Sequence, residues 1–182
     1  YCYKNLPHEL IVVVDRDGFD TRSKDQKVNK AEEKAVKAIQ QHSMYIGGKE
    51  YNPQIDEAYM LLGKARYYDN RFIPALDAFN FILNKSATSN NVNNAKIWKA
   101  KTNIRLKNED YAIENLQKML REENLEDVVV ADANAMIAQA MINLDSIPQA
   151  LPYMKIANEL EDNYELKGRF SFIIGQLYNK LN

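Results

Sequence analysis

The sequence predicts an all-α fold. It reads as a right-handed solenoid of helical hairpins, about three repeats with flanking helices and a short extended segment at the N-terminus. Three observations predict it. Six Gly and five Pro among 182 residues favour long helices over turns. Helical spacing is clear at Tyr59, Leu62, Gly63 and Arg66, which fall at i, i+3, i+4 and i+7 and so share one face. Small residues also recur at a fixed period: Gly63, Ala100, Ala138 and Gly175 are spaced by 37, 38 and 37 residues. Each of the first three lies 12 residues before an alanine, Ala75, Ala112 and Ala150, and a bulky residue follows four further on, Phe79, Leu116 and Met154. A small residue on each helix allows close backbone approach, and the bulky residue fills the remaining space.

In chain order, residues 1–23 differ from the rest. Ile11–Val14 is a β-branched run between Pro7 and Gly18, expected as an extended segment or an edge strand. The run DRDGFD invites a calcium loop. Aligning Gly18 with the loop glycine leaves Val13 and Lys24 where essential carboxylates belong, so a turn is expected instead. The repeat domain is expected over 24–182. It opens with a helix over 24–44 carrying Val28, Ala31, Ala35, Ala38, Ile39 and His42, read as the second helix of an incomplete preceding repeat. Gly47 and Gly48 are expected to stop that helix in a left-handed cap.

Three hairpins follow, over about 54–84, 92–121 and 127–161. Asp69-Asn70 breaks the first, and Pro74 and Pro148 are tolerated because each falls in a first turn, where its missing N–H is not needed. Ser89 is a plausible cap for the second hairpin, and the acidic link REENLED suits the start of the third. The first helix of the second hairpin has two open registers, one through Lys96, Lys99 and Asn103 and one through Ile97, Ala100 and Ile104. A terminal helix over 164–181 carries Leu166, Phe170, Ile174, Leu177 and Leu181, and acts as a cap or opens a further repeat. The residues expected to pack the repeats are Tyr59, Leu62, Gly63, Ala75, Phe79, Ala100, Ala112, Leu116, Ala138, Ala150, Met154 and Gly175.

Tyr59-x-x-Leu62-Gly63, followed by Phe72, Ala75 and Phe79, resembles the tetratricopeptide repeat, lengthened here by about one helical turn. A narrower resemblance covers most of the chain. The runs HSMYI-x-GKEY, YY-x-x-RFIPAL-x-AFN and AKIWKAKTNIRL look like the repeat lipoproteins of the SprE/PorW type, found in the Bacteroidetes type IX secretion and gliding apparatus. That resemblance implies a periplasmic, outer-membrane-anchored scaffold or adaptor within a secretion and motility machine. The alternative expectation is a glycan-binding helical-repeat lipoprotein.

Composition and motifs bound the chemistry. Net charge is −1, so no general attraction to nucleic acid or anionic membrane is expected. The charge is uneven, +5 over 51–108 and −7 over 109–182. The single cysteine, Cys2, excludes an internal disulfide, and with only His8 and His42 a metal site is not expected. A chain opening at Tyr1 without Met is expected to be a fragment, with any lipid anchor outside it. No nucleophile–base pair, Walker loop or H-E-x-x-H motif occurs, so neither an enzyme nor a cofactor is expected. Tyr59, Tyr67, Tyr68 and Tyr111 could stack sugars, but packing aromatics is the simpler expectation.

The expected function is non-catalytic protein binding in a groove lined by the first helix of each hairpin. The groove candidates are Lys64, Tyr67 and Tyr68, then Lys101 and Arg105, then Gln139 and Asn143. The helix over 96–107 carries Lys96, Lys99, Lys101, Arg105 and Lys107 and no acidic residue. Lys101 and Arg105 repel one another one turn apart and are expected to be solvated, ready for an acidic partner.

Overall fold

The computed structural model describes residues 24–52, 54–85, 91–122 and 124–181. The expected extended segment 1–23, with Cys2, His8 and DRDGFD, lies outside them, as does Ser89. Among the described residues are eight helices and one two-stranded ribbon. The helices are α1 (Lys24–His42), α2 (Ile55–Tyr68), α3 (Phe72–Lys85), α4 (Val92–Arg105), α5 (Glu109–Met119), α6 (Asp127–Asn143), α7 (Ile147–Leu160) and α8 (Tyr164–Leu181). Sequence neighbours pack on one another: α1 on α2, α2 on α3, α3 on α4, α6 on α7 and α7 on α8. The chain divides within α5 into two compact units, one ending at Asn115 and the other beginning at Leu116.

The first unit has its core between α2, α3 and α4. Met60, Tyr67, Ala75, Phe79, Ile82, Ala95 and Trp98 are buried together there. Gly63 lies close against Phe79. A Cβ at position 63 would lie 2.7 Å from Cζ and 2.8 Å from Cδ1 of that ring, so no side chain fits without moving it. Helix α1 docks beside this core through Ala35, which packs with Leu62 and Ala78. Its Glu32 carboxylate is gripped by two guanidinium groups, Arg66 at 3.1 Å and Arg71. The Arg71 hydrogen bond, with a second from Arg66, holds the Glu32 carboxyl below the usual carboxylate range despite partial burial. Helix α4 is buried almost all round. Ile97, Ala100 and Ile104 are buried, and so is Asn103, which turns its amide onto the Lys99 carbonyl at 2.9 Å. Both registers left open by the sequence therefore contribute to one helix.

The second unit is built on alanine. Ala131, Ala133, Ala135, Ala138 and Ala140 of α6 are all buried, with Ala150, Met154 and Ala157 of α7. Pro148 falls in the first turn of α7, as expected, while Pro152 lies within that helix on its exposed side. Helix α8 packs on α7. It buries Leu166, Phe170, Ile173 and Leu177, whose spacing of four, three and four residues makes one stripe. Two expectations change here. Ile173 replaces Ile174 in the stripe, and Leu181 is exposed. Gly175 is also exposed, and a Cβ there would meet nothing within 4 Å, so it does not pack a repeat as Gly63 does. No described element covers that side of α8.

The three hairpin turns are built alike. Asn70, Lys107 and Asp145 take φ of 59°, 64° and 56° and continue the period, spaced by 37 and 38 residues. In each turn the N–H of the next residue (Arg71, Asn108, Ser146) donates five residues back, to Arg66, Asn103 and Met141, at 2.9, 2.9 and 2.8 Å. These are Schellman-type closures that satisfy the last carbonyls of the first helix. The same residue's carbonyl then accepts from Ala75, Ala112 or Ala150 at 3.0–3.1 Å and opens the second helix. Asn and Asp tolerate the left-handed conformation at the first and last turns; the middle one has Lys107.

The link from α1 to α2 departs from expectation. Gly47 and Gly48, at φ 59° and 87°, do not cap the helix, which ends at His42. They form the turn of an antiparallel ribbon in which β1 (Tyr45–Ile46) pairs with β2 (Lys49–Glu50). Two residues of positive φ between short strands match the twist of a tight hairpin, which is why two glycines stand there.

Candidate partner-binding site

Trp98 of α4 gathers most of the groove candidates. Tyr67 meets it edge-on at 5.5 Å between centroids, and Tyr68 does so at 5.9 Å. Tyr67 also sits edge-on to Phe72 at 5.6 Å. Three cations lie over these rings. Lys101 Nζ is 4.3 Å from the Trp98 centroid and 5.5 Å from that of Tyr67. Lys64 Nζ is 4.9 Å from Trp98. The Arg105 guanidinium is 5.1 Å from Phe72 and 5.9 Å from Tyr67. The ring quadrupole attracts a cation at this range, most strongly on tryptophan.

Five of the seven groove candidates, Lys64, Tyr67, Tyr68, Lys101 and Arg105, thus form one cluster on α2 and α4. The other two, Gln139 and Asn143, lie on α6 in the second unit, where the Gln139 amide donates to Asn143 Oδ1 at 2.8 Å. The expectation that Lys101 and Arg105 are both solvated is corrected for Lys101, which is half-buried; Arg105 is exposed. A third cation of α4, Lys99, lies over a different ring, Tyr111, at 6.0 Å. Trp98 was missed because no spacing rule links a lone tryptophan to cations on another helix. The signal available was its place one residue from Lys99 and three from Lys101.

The remaining tyrosine candidate packs elsewhere. Tyr59 stacks on Phe81 at 3.8 Å and 13°, and burial together with the nearby Glu50 charge pushes its phenol up. Glu50 is the second residue that sequence reasoning missed. Its carboxylate is buried and accepts from Ser43 Oγ at 2.5 Å and from the N–H groups of Met44, Asn52 and Tyr51 at 2.8, 2.8 and 3.1 Å. Burial raises its pKa, but these four bonds outweigh burial and leave the group below its ordinary value. Asn52 extends the network, donating to the His42 carbonyl and accepting from the Gln54 N–H, each at 3.0 Å. The run HSMYI-x-GKEY is therefore a self-bonded connector. Met44, Tyr45, Ile46 and Tyr51 are exposed around it.

Among the described residues no group of three His, Cys, Asp or Glu is placed to hold a metal, and no helix is long and apolar enough to cross a membrane. Set against known proteins, the sequence matches no family model and no curated relative.

Proposed function

We propose that this chain is a non-catalytic protein-interaction scaffold of tetratricopeptide-like hairpins, and that its partner presents an acidic segment to α2 and α4. The repeat reading is supported by the three turns, which share φ, bonding pattern and a period of 37–38 residues. The single observation carrying the function is the set of three cations, Lys64, Lys101 and Arg105, drawn from two first helices onto one aromatic patch. Rings that fix the cations lower the ordering entropy of binding, and concentrated positive charge speeds association with an acidic chain. On the strength of the resemblance alone, the machine served is an envelope secretion and gliding apparatus, with anchoring to the outer membrane. Glycan binding is the weaker reading, because Trp98 is only 7% exposed and cations lie over its ring.

The test is selection from a displayed random-peptide library on the purified chain. Enrichment of Asp- and Glu-rich peptides is expected, with affinity that falls as salt rises. Arg105→Glu should remove the binding while leaving Trp98 fluorescence unchanged. Selection of neutral or basic peptides, or binding that survives Arg105→Glu, would overturn the reading.

A further inference from the structure

Opposite the stripe that α8 buries runs a second one, Tyr164, Gly168, Phe172, Gly175 and Asn179, at i, i+4, i+8, i+11 and i+15. Tyr164 is 92% exposed and Phe172 68%. Open space surrounds both glycines, since a Cβ at either would meet nothing within 4 Å. Packing within this fold thus gives no reason for glycine at 168 or 175, and glycine in a helix interior is less favourable than alanine. Two large apolar rings left in water are a second unfavourable feature on the same face. Both are accounted for if another helix approaches closely.

We propose that the partner is α8 of a second copy of this chain, paired antiparallel about a two-fold axis, with Phe172 of each copy seated against Gly175 of the other. Ring and glycine alternate along the stripe, so one face carries both projections and recesses and fits itself when turned end for end. Charge agrees with the direction. Glu165 near one end and Lys180 near the other lie on the same side of the stripe. An antiparallel pair centred near residue 173 brings each Glu165 close to the other copy's Lys180, whereas a parallel pair would gather the like charges at one end. The contact spans one helix per copy, about 27 Å long, at the small end of specific interfaces, so the dimer forms reversibly with concentration. The proposal stands apart from the acidic-partner reading, which concerns α2 and α4.

Sedimentation equilibrium of the full chain over a wide concentration range tests it. A monomer–dimer equilibrium is expected. Phe172→Glu, at an exposed position, should weaken the dimer about tenfold or more while leaving the fold intact. Gly175→Gln fits the free chain and should raise its melting temperature, yet weaken the dimer to a similar degree. Glu165→Lys should also weaken the dimer, and adding Lys180→Glu should restore it. A chain monomeric at every concentration overturns the proposal. A dimer indifferent to both Phe172→Glu and Gly175→Gln overturns it as well, because the contact then lies elsewhere.

Discussion

The two units hold their helices together by different means. In the first, rings and ions do the work. Phe79 fills the Gly63 notch, Trp98 and Tyr67 meet edge-on, and Glu32 ties α1 to Arg66 and Arg71. In the second, many of the side chains buried on α6 and α7 are small, with Ala131, Ala133, Ala138 and Ala150 at 0% exposure. A ring in a notch gains from large buried area and is vulnerable to truncation. An alanine interface gains from close backbone approach and is vulnerable to enlargement. Two all-helical cores thus differ in the size of the side chains that fill them, although each buries a small residue, Gly63 or Ala138.

Truncation should separate them most sharply. Phe79→Ala is expected to destabilise by about 3–5 kcal/mol, and Met154→Ala, its counterpart in the third hairpin, by less. Urea unfolding measures both, and an equal or larger loss for Met154→Ala would erase the contrast. Enlargement is the converse. Gly63→Leu and Ala138→Leu should each lose about 1–3 kcal/mol, because Phe79 or the facing helix must move. Gly175→Ala should instead gain about 0.5–1 kcal/mol, since the space is open. Thermal melts of the three variants would show whether period or environment decides.

Glu50 supplies a pH dependence confined to the first unit. Its pKa is lower folded than unfolded, so its contribution is present above the ordinary value of 4.5 and is lost as pH falls through the folded value. Glu50→Gln should cost about 1–3 kcal/mol at neutral pH and flatten the acid limb below about 4.5. Stability curves against pH for parent and variant should converge in acid; a constant gap would show that the carboxylate charge is not what the connector needs. The smallest effect belongs to the cation cluster. Lys101→Glu should cost about 0.5–1 kcal/mol through its lost contact with Trp98, and Arg105→Glu less, as Arg105 is exposed.

The helices were legible because their packing rule is local. In the first hairpin a small residue, an alanine 12 further on and a bulky residue four beyond that report one contact between adjacent helices, Gly63 against Phe79. The same rule placed Gly175 by period but could not say whether a second helix meets it, since that depends on chain elsewhere. Gly47-Gly48 resembles a helix cap in the sequence because a long helix precedes it. The competing signal, two glycines between Tyr45-Ile46 and Lys49-Glu50, was present but faint in strands of two residues. The cation cluster was half legible. Its lysines, arginine and tyrosines follow from counting along first helices, but the ring that joins them does not, because α2 and α4 meet across an intervening helix.

The three matching turns also bear on how the chain folds as it is made. Every backbone bond that closes a turn and opens the next helix lies within ten residues, 66–75, 103–112 and 141–150. A loop of that length closes in tens of nanoseconds, far faster than residues are added during synthesis. Each hairpin can therefore close while the chain after it is still inside the ribosome. Unlike a sheet of distant strands, such a chain has no need to keep apolar segments waiting for partners yet to be synthesised.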